Sequence, residues 1–169
     1  MKIALLFGAA IAGLACVPGD IDPGRPSAKD AGGDPPTGVS DETALGDCAS
    51  YRTVGAFERG MIVPRCGTGT CHSTNGRPFA PDMSSRPIHP RLLDRNVMGA
   101  ATACDRASDR YVDSRASADE SYLVAKVRDD HPLCPSGKPA GARMPLAAPP
   151  LAPDEIACFV SYVRALIGP

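Results

Sequence analysis

The chain has no tryptophan and only four tyrosines and four phenylalanines in 169 residues, so large core residues are few and the core is expected to be lean. Eighteen lysines and arginines nearly balance 19 aspartates and glutamates, leaving a net charge of −1. There is no basic stripe and no aromatic ladder, so the composition points away from nucleic acid, whose backbone is held by concentrated positive charge. Sustained polar–apolar alternation is missing, and so is any internal repeat. No apolar run reaches the ~20 residues that a membrane-spanning helix needs. No nucleophile–base constellation appears either, and the chain reads as a non-enzyme.

What is present in quantity is proline (18), glycine (17) and cysteine (seven). Met1 and Lys2 precede an apolar stretch over 3–15 that ends at Cys16, which reads as an export signal. Gly13-Leu14-Ala15-Cys16 resembles the lipobox of bacterial lipoproteins, which implies a lipidated Cys16 after cleavage and a periplasmic or outer-membrane-anchored protein. Export also permits disulfides. From 17 to 44, proline, glycine and aspartate dominate and aliphatic residues are few, the composition of a disordered tether that cannot bury enough apolar surface to fold.

Residues 45–169 form one predicted domain. Val54, Phe57, Met61 and Ile62 recur at helical spacing, with Pro64 as the expected stop. A second helix is expected to be capped by Ser117 or Asp119 and to run through Tyr122, Leu123 and Val127. The third is the clearest: Pro153 suits a first helical position, Asp154 and Glu155 suit the dipole, and Gly168 suits the residue past the end. Its predicted apolar stripe is Ile156, Phe159, Val160, Val163 and Ile167. A shorter helix is expected over 91–98. Long proline- and glycine-rich connections fill 73–90 and 131–150, and so lean a core invites stapling by disulfides or a bound cofactor.

The chemistry concentrates in Cys66-Gly67-Thr68-Gly69-Thr70-Cys71-His72, two thiols and an imidazole within seven residues. C-x-x-C-H is the attachment signature of c-type haem, and this run is that signature with a spacer of four. Two thiols can form thioethers with two vinyl groups, and the adjacent imidazole then faces the iron. Gly67 and Gly69 are the residue type that lets extra backbone loop outward.

On these residues the chain resembles the c-type cytochrome family, and more closely the haem domains of bacterial exported lipoproteins. The further matching pieces are Ser121-Tyr122-Leu123-Val124-Ala125-Lys126, then Arg143-Met144-Pro145, then Leu151-Ala152-Pro153-Asp154-Glu155-Ile156, in the family's order. The resemblance covers nearly all of 48–169. It implies a small all-α, cytochrome c-like domain whose long loops wrap one haem c. Cys66 and Cys71 would carry the thioethers, and His72 and Met144 would be the axial ligands. The implied function is single-electron transfer between redox partner proteins from a membrane anchor. The usual glycine-leucine run after the motif is replaced here by Ala80-Pro81-Asp82-Met83-Ser84-Ser85. Met83 and Met98 are rival sixth ligands. Met61 reads as packing inside the first helix, and His89 and His131 as surface residues.

Cys48, Cys104, Cys134 and Cys158 remain, and four cysteines allow three pairings. Within the resembling layout, a Cys134–Cys158 bridge would close a short loop around Met144, leaving Cys48–Cys104. Two other readings stand beside haem. Cys66, Cys71 and His72 with Cys104 or Cys134 are a zinc ligand set. Alternatively, the protein is a cofactor-free, disulfide-stapled lipoprotein of binding or structural type, with Cys66 and Cys71 oxidised.

Overall fold

The computed structural model describes residues 38–68, 72, 81–97, 104, 108–146 and 148–168. Cys16, Cys71, Met98 and most of the tether lie outside the described residues. Helix α1 (Val54–Phe57) runs through a π-helical turn (Glu58–Ile62) straight into α2 (Val63–Cys66). Thr53 Oγ1 caps its start by accepting from Ala56 N at 3.2 Å. The stop expected at Pro64 does not occur. Proline has no N–H for the Gly60 carbonyl four residues back, and the Tyr51 hydroxyl donates to that carbonyl instead, at 3.2 Å. The π turn also re-registers the ladder, with Val63 N donating to Glu58 O. Proline is therefore tolerated, and the helix delivers Cys66 at its end.

Helix α3 (Tyr122–Arg128) is capped by neither Ser117 nor Asp119 but by Ser121, whose Oγ accepts from Val124 N at 3.2 Å. The residues ahead of it form a 3-10 turn (Ala118–Glu120). Helix α4 (Pro153–Ile167) begins and ends as expected, with Glu155 Oε2 accepting from Ala152 N at 2.8 Å and Gly168 at φ 85°. Its buried face is rotated from the predicted stripe. Phe159, Tyr162, Val163 and Leu166 are buried, whereas Ile156, Val160 and Ile167 are half-covered.

The all-α, cytochrome c-like expectation is not met. Among the described residues, helix is confined to these three short stretches and two 3-10 turns. The helix expected over 91–98 is not formed in its described part: a 3-10 turn (His89–Arg91) leads into a further turn with Asp94 at φ 53°, and the chain meets 110–112 through isolated bridges, Leu93 with Val112 and Asn96 with Arg110. The physical reason is the spacing of proline and glycine, which leaves few windows long enough for a stable helix. Loops carry most of the described residues, and side-chain caps and cross-links hold them.

The core forms around Phe57, whose ring centroid lies 5.4, 5.1 and 5.0 Å from those of Tyr51, Phe159 and Tyr162. Val54, Ile62, Ile88, Leu92, Val112 and Val124 pack into the same buried cluster. Contacts reach back into the segment read as tether, where Thr43 O accepts from Val54 N and Asp41 O from Gly55 N, both at 2.9 Å.

The four remaining cysteines do pair with one another, but not as expected. The bridges are Cys48–Cys158, Cα–Cα 4.7 Å, and Cys104–Cys134, Cα–Cα 5.4 Å. The first ties the loop before α1 to the inner face of α4. The second ties the hairpin leading to Met144 to Cys104, so that hairpin is anchored to the middle of the chain and not to α4. Sequence proximity misleads here, because a buried helix face selects whatever loop packs on it. Among the described residues, no helix is long and apolar enough to cross a membrane.

Candidate functional site

Cys66 is the last residue of α2 and is half-buried. Gly67 follows at φ −81°, so no left-handed turn requires a glycine there. It is needed for a close approach. A β-carbon there would collide with the Met83 carbonyl and sit 2.8 Å from Ser84 Cα. Gly67→Ala is accordingly expected to destabilise by about 1–3 kcal/mol, read by thermal unfolding, because backbone on both sides must shift. A neutral result would mean that segment 81–84 does not press on the end of α2.

The same segment holds His72. Met83 N donates to His72 O at 2.7 Å, and the imidazole Nδ1 lies 3.1 Å from Pro81 O. A carbonyl can only accept, so Nδ1 is the protonated nitrogen and Nε2 is the basic one in the neutral ring. This is the tautomer a metal-binding imidazole uses, with the distal N–H anchored on a backbone carbonyl. Segment 81–84 is itself tied by Asp82, whose carboxylate accepts from Ser84 N at 2.8 Å and Ser84 Oγ at 2.6 Å. Burial would raise the Asp82 pKa, but these bonds, with the Arg91 charge and Ser85, hold it below the ordinary value.

Met144 rests on a different support. Its backbone N donates to Lys126 O in α3 at 2.6 Å, and its side chain is half-buried. Leu146, two residues on, is 44% exposed, one of two large hydrophobics so exposed among the described residues. The structure thus gathers Cys66 and His72 on one segment and holds Met144 on another. Of the rival ligands, Met61 packs in the core as expected, Met83 is buried and His131 is exposed.

His89 is not a surface residue. It is 8% exposed and belongs to a centre that the sequence reading missed. Glu58, 0% exposed, stands in the π turn. Its Oε1 accepts from His89 N at 2.7 Å, His89 Nδ1 at 3.1 Å and the Tyr162 hydroxyl at 2.9 Å. Its Oε2 accepts from Ile88 N at 3.0 Å. Arg86 Nε lies 3.7 Å from Glu58 Oε2, and its Nη2 reaches Asp41 Oδ2 at 2.5 Å. Burial alone would raise the Glu58 pKa, yet the bonds from His89, Ile88 and Tyr162 leave it lowered. Burial and the Glu58 charge push the Tyr162 phenol well above its ordinary value. Ligand atoms of Asp41, Glu58 and His89 lie within 4.8 Å of one another. The positive charge at that point is the Arg86 guanidinium, so the centre is structural chemistry and no metal need be invoked. One signal pointed to it: Glu58 falls on the apolar stripe of Val54, Phe57, Met61 and Ile62.

The zinc set loses its fourth ligand, because Cys104 and Cys134 are bonded to each other. Comparison with family models, with curated proteins and with solved structures finds no match to this chain.

Proposed function

We propose that this chain is a membrane-tethered electron carrier holding one covalent haem c. Cys66 and Cys71 would hold it through thioethers, and His72 and Met144 would ligate its iron. The observation that carries the reading is the His72 imidazole, whose Nδ1 is committed to Pro81 O at 3.1 Å, leaving Nε2 as the nitrogen with metal-binding character. Two further facts support it. Among the described residues, the four cysteines outside the 66–72 run close on one another. The Met144 loop also presents Leu146 as uncovered apolar surface suited to a flat apolar group. When bound, haem iron supplies a one-electron ferric–ferrous couple, whose potential a thioether ligand raises relative to imidazole. The protein's own part is to fix the imidazole, present the thioether and exclude other ligands. This reading stands on the site and not on a fold family, since chemistry of this kind is grafted onto many scaffolds. Export, the Cys16 anchor and a periplasmic or outer-membrane address belong to the same proposal.

A second reading has an observation of its own. Among the described residues the Phe57-centred core is filled by protein side chains, which favours a cofactor-free, disulfide-stapled lipoprotein. One experiment separates them. Full-length protein, produced with cytochrome-maturation machinery, is run on denaturing electrophoresis and stained for haem. A stained band that disappears in Cys66→Ser with Cys71→Ser is the expected result. A colourless wild-type band would end the haem reading, and elemental analysis of that band separates zinc from the metal-free alternative.

A further inference from the structure

Lys126 occupies a buried position on α3, 8% exposed, among Tyr122, Leu123 and Val127. An ammonium is seldom left there without dedicated acceptors, because burial of a charge is costly. Its acceptors are two backbone carbonyls of one loop. Nζ donates to Ala140 O at 3.1 Å and also to Ala142 O. The Lys126 carbonyl in turn accepts from Met144 N at 2.6 Å. One residue therefore grips the loop at 140, 142 and 144.

The loop is shaped for that grip. Gly141, between the two carbonyls, takes φ 84°, a conformation that a β-carbon opposes, and it turns both oxygens toward one donor. Upstream, Ala140 N donates to Pro132 O at 2.8 Å and Cys134 N to Lys138 O at 2.8 Å, so the hairpin base is fixed before the loop reaches Lys126. Arg143 pairs with Asp130. Past Met144 the chain opens to Leu146. The grip thus falls at the last firmly held point before the thioether. A methionine or leucine at 126 would fill the same space on α3, so packing alone does not call for an amine.

Resting on the haem reading above, we infer that Lys126 is the positioning residue for the sixth ligand: its ammonium, gripping the carbonyls of 140 and 142, presents the Met144 thioether to the iron. Lys126 touches the loop and not the iron, so it acts through Met144.

The test uses full-length, haem-matured protein in three forms: wild type, Lys126→Met and Gly141→Ala. The second variant leaves α3 untouched and disturbs only the carbonyl geometry. The readouts are haem stain, the sulfur-to-iron charge-transfer band of the ferric protein, reduction potential, and amide exchange at Met144 in protein made without haem. Stain is expected in all three forms. In both variants the band falls about 10-fold or more, as when an outer-shell partner of a metal ligand is removed. The potential drops, and Met144 exchanges faster in the haem-free protein. Unchanged band and exchange in either folded variant would overturn the clamp. So would a haem-bearing wild type with no such band, or failure of both variants to fold, since a grip confined to the loop leaves the core intact. A wild type that never holds covalent haem sinks the reading of the site instead, while Met144 exchange still reports on the grip by itself.

Discussion

Glu58→Gln is expected to lower stability by about 3–5 kcal/mol, the usual result of removing one partner from a buried charge network. In a domain of this size that corresponds to a fall in Tm of roughly 10–20 °C. The carboxylate accepts four hydrogen bonds, from two backbone amides, the His89 ring and the Tyr162 hydroxyl. An amide would place an NH2 against donors and leave the Arg86 guanidinium without its inner counter-charge. The pH dependence gives a second check. Because the folded-state pKa lies below the ordinary 4.5, the Glu58 contribution is complete above that value and is lost as pH falls through the lower, folded-state value. The gap in Tm between wild type and variant should therefore be widest near neutrality and should narrow on acidification. A gap that is small at neutral pH, or that widens in acid, would show that the network does not hold the π turn to the His89–Arg91 turn and α4.

The second large effect belongs to the disulfides. Cys48–Cys158 spans 110 residues and Cys104–Cys134 spans 30. In the chain-entropy picture these loops correspond to ~4.8 and ~3.6 kcal/mol of stabilisation. Paired serine replacement of Cys48 and Cys158 should therefore lower Tm more than paired replacement of Cys104 and Cys134. Chemical unfolding of the two variants measures the difference directly. The pairing itself is checked by peptide mapping under non-reducing conditions, where a Cys134–Cys158 peptide would contradict the structure. The first bridge joins the start of the domain to α4 beside the Phe57 cluster, and its loss loosens the core. Loss of the second loosens the hairpin ahead of Met144.

Both effects bear on the site through distance. Neither Glu58 nor the Cys48–Cys158 bridge lies in the 66–72 run, yet Glu58 shapes the π turn that lets α2 carry Cys66 past Pro64. On the haem reading proposed above, retention of the group is therefore expected to survive loss of the Cys104–Cys134 bridge better than loss of Glu58.

Much of the local structure was legible in the residues. Pro153 and Gly168 bracket α4, and the stripe of Val54, Phe57, Met61 and Ile62 marks the buried face of the first helix, whereas the Ser121 cap of α3 was not the one expected. These signals are local, with donor and acceptor only a few residues apart, so spacing alone carries them. The 66–72 run stands out in the sequence by the same local spacing, and an even remainder of four cysteines pointed to two bridges, which the structure contains. Two charged residues, Glu58 and Lys126, fall on apolar stripes, a signal the sequence reading passed over, and what they touch was not legible at all.

Tertiary structure decided those partners. Glu58 meets groups 30, 31 and 104 residues away, and Lys126 meets carbonyls 14 and 16 residues on. It also decided which cysteines pair, that the helix continues beyond Pro64, and that 92–97 is turn and bridged loop and not helix. A buried charge must find acceptors wherever packing places them, and a loop stays extended where another loop offers it hydrogen bonds. Neither condition is written in the spacing of neighbouring residues.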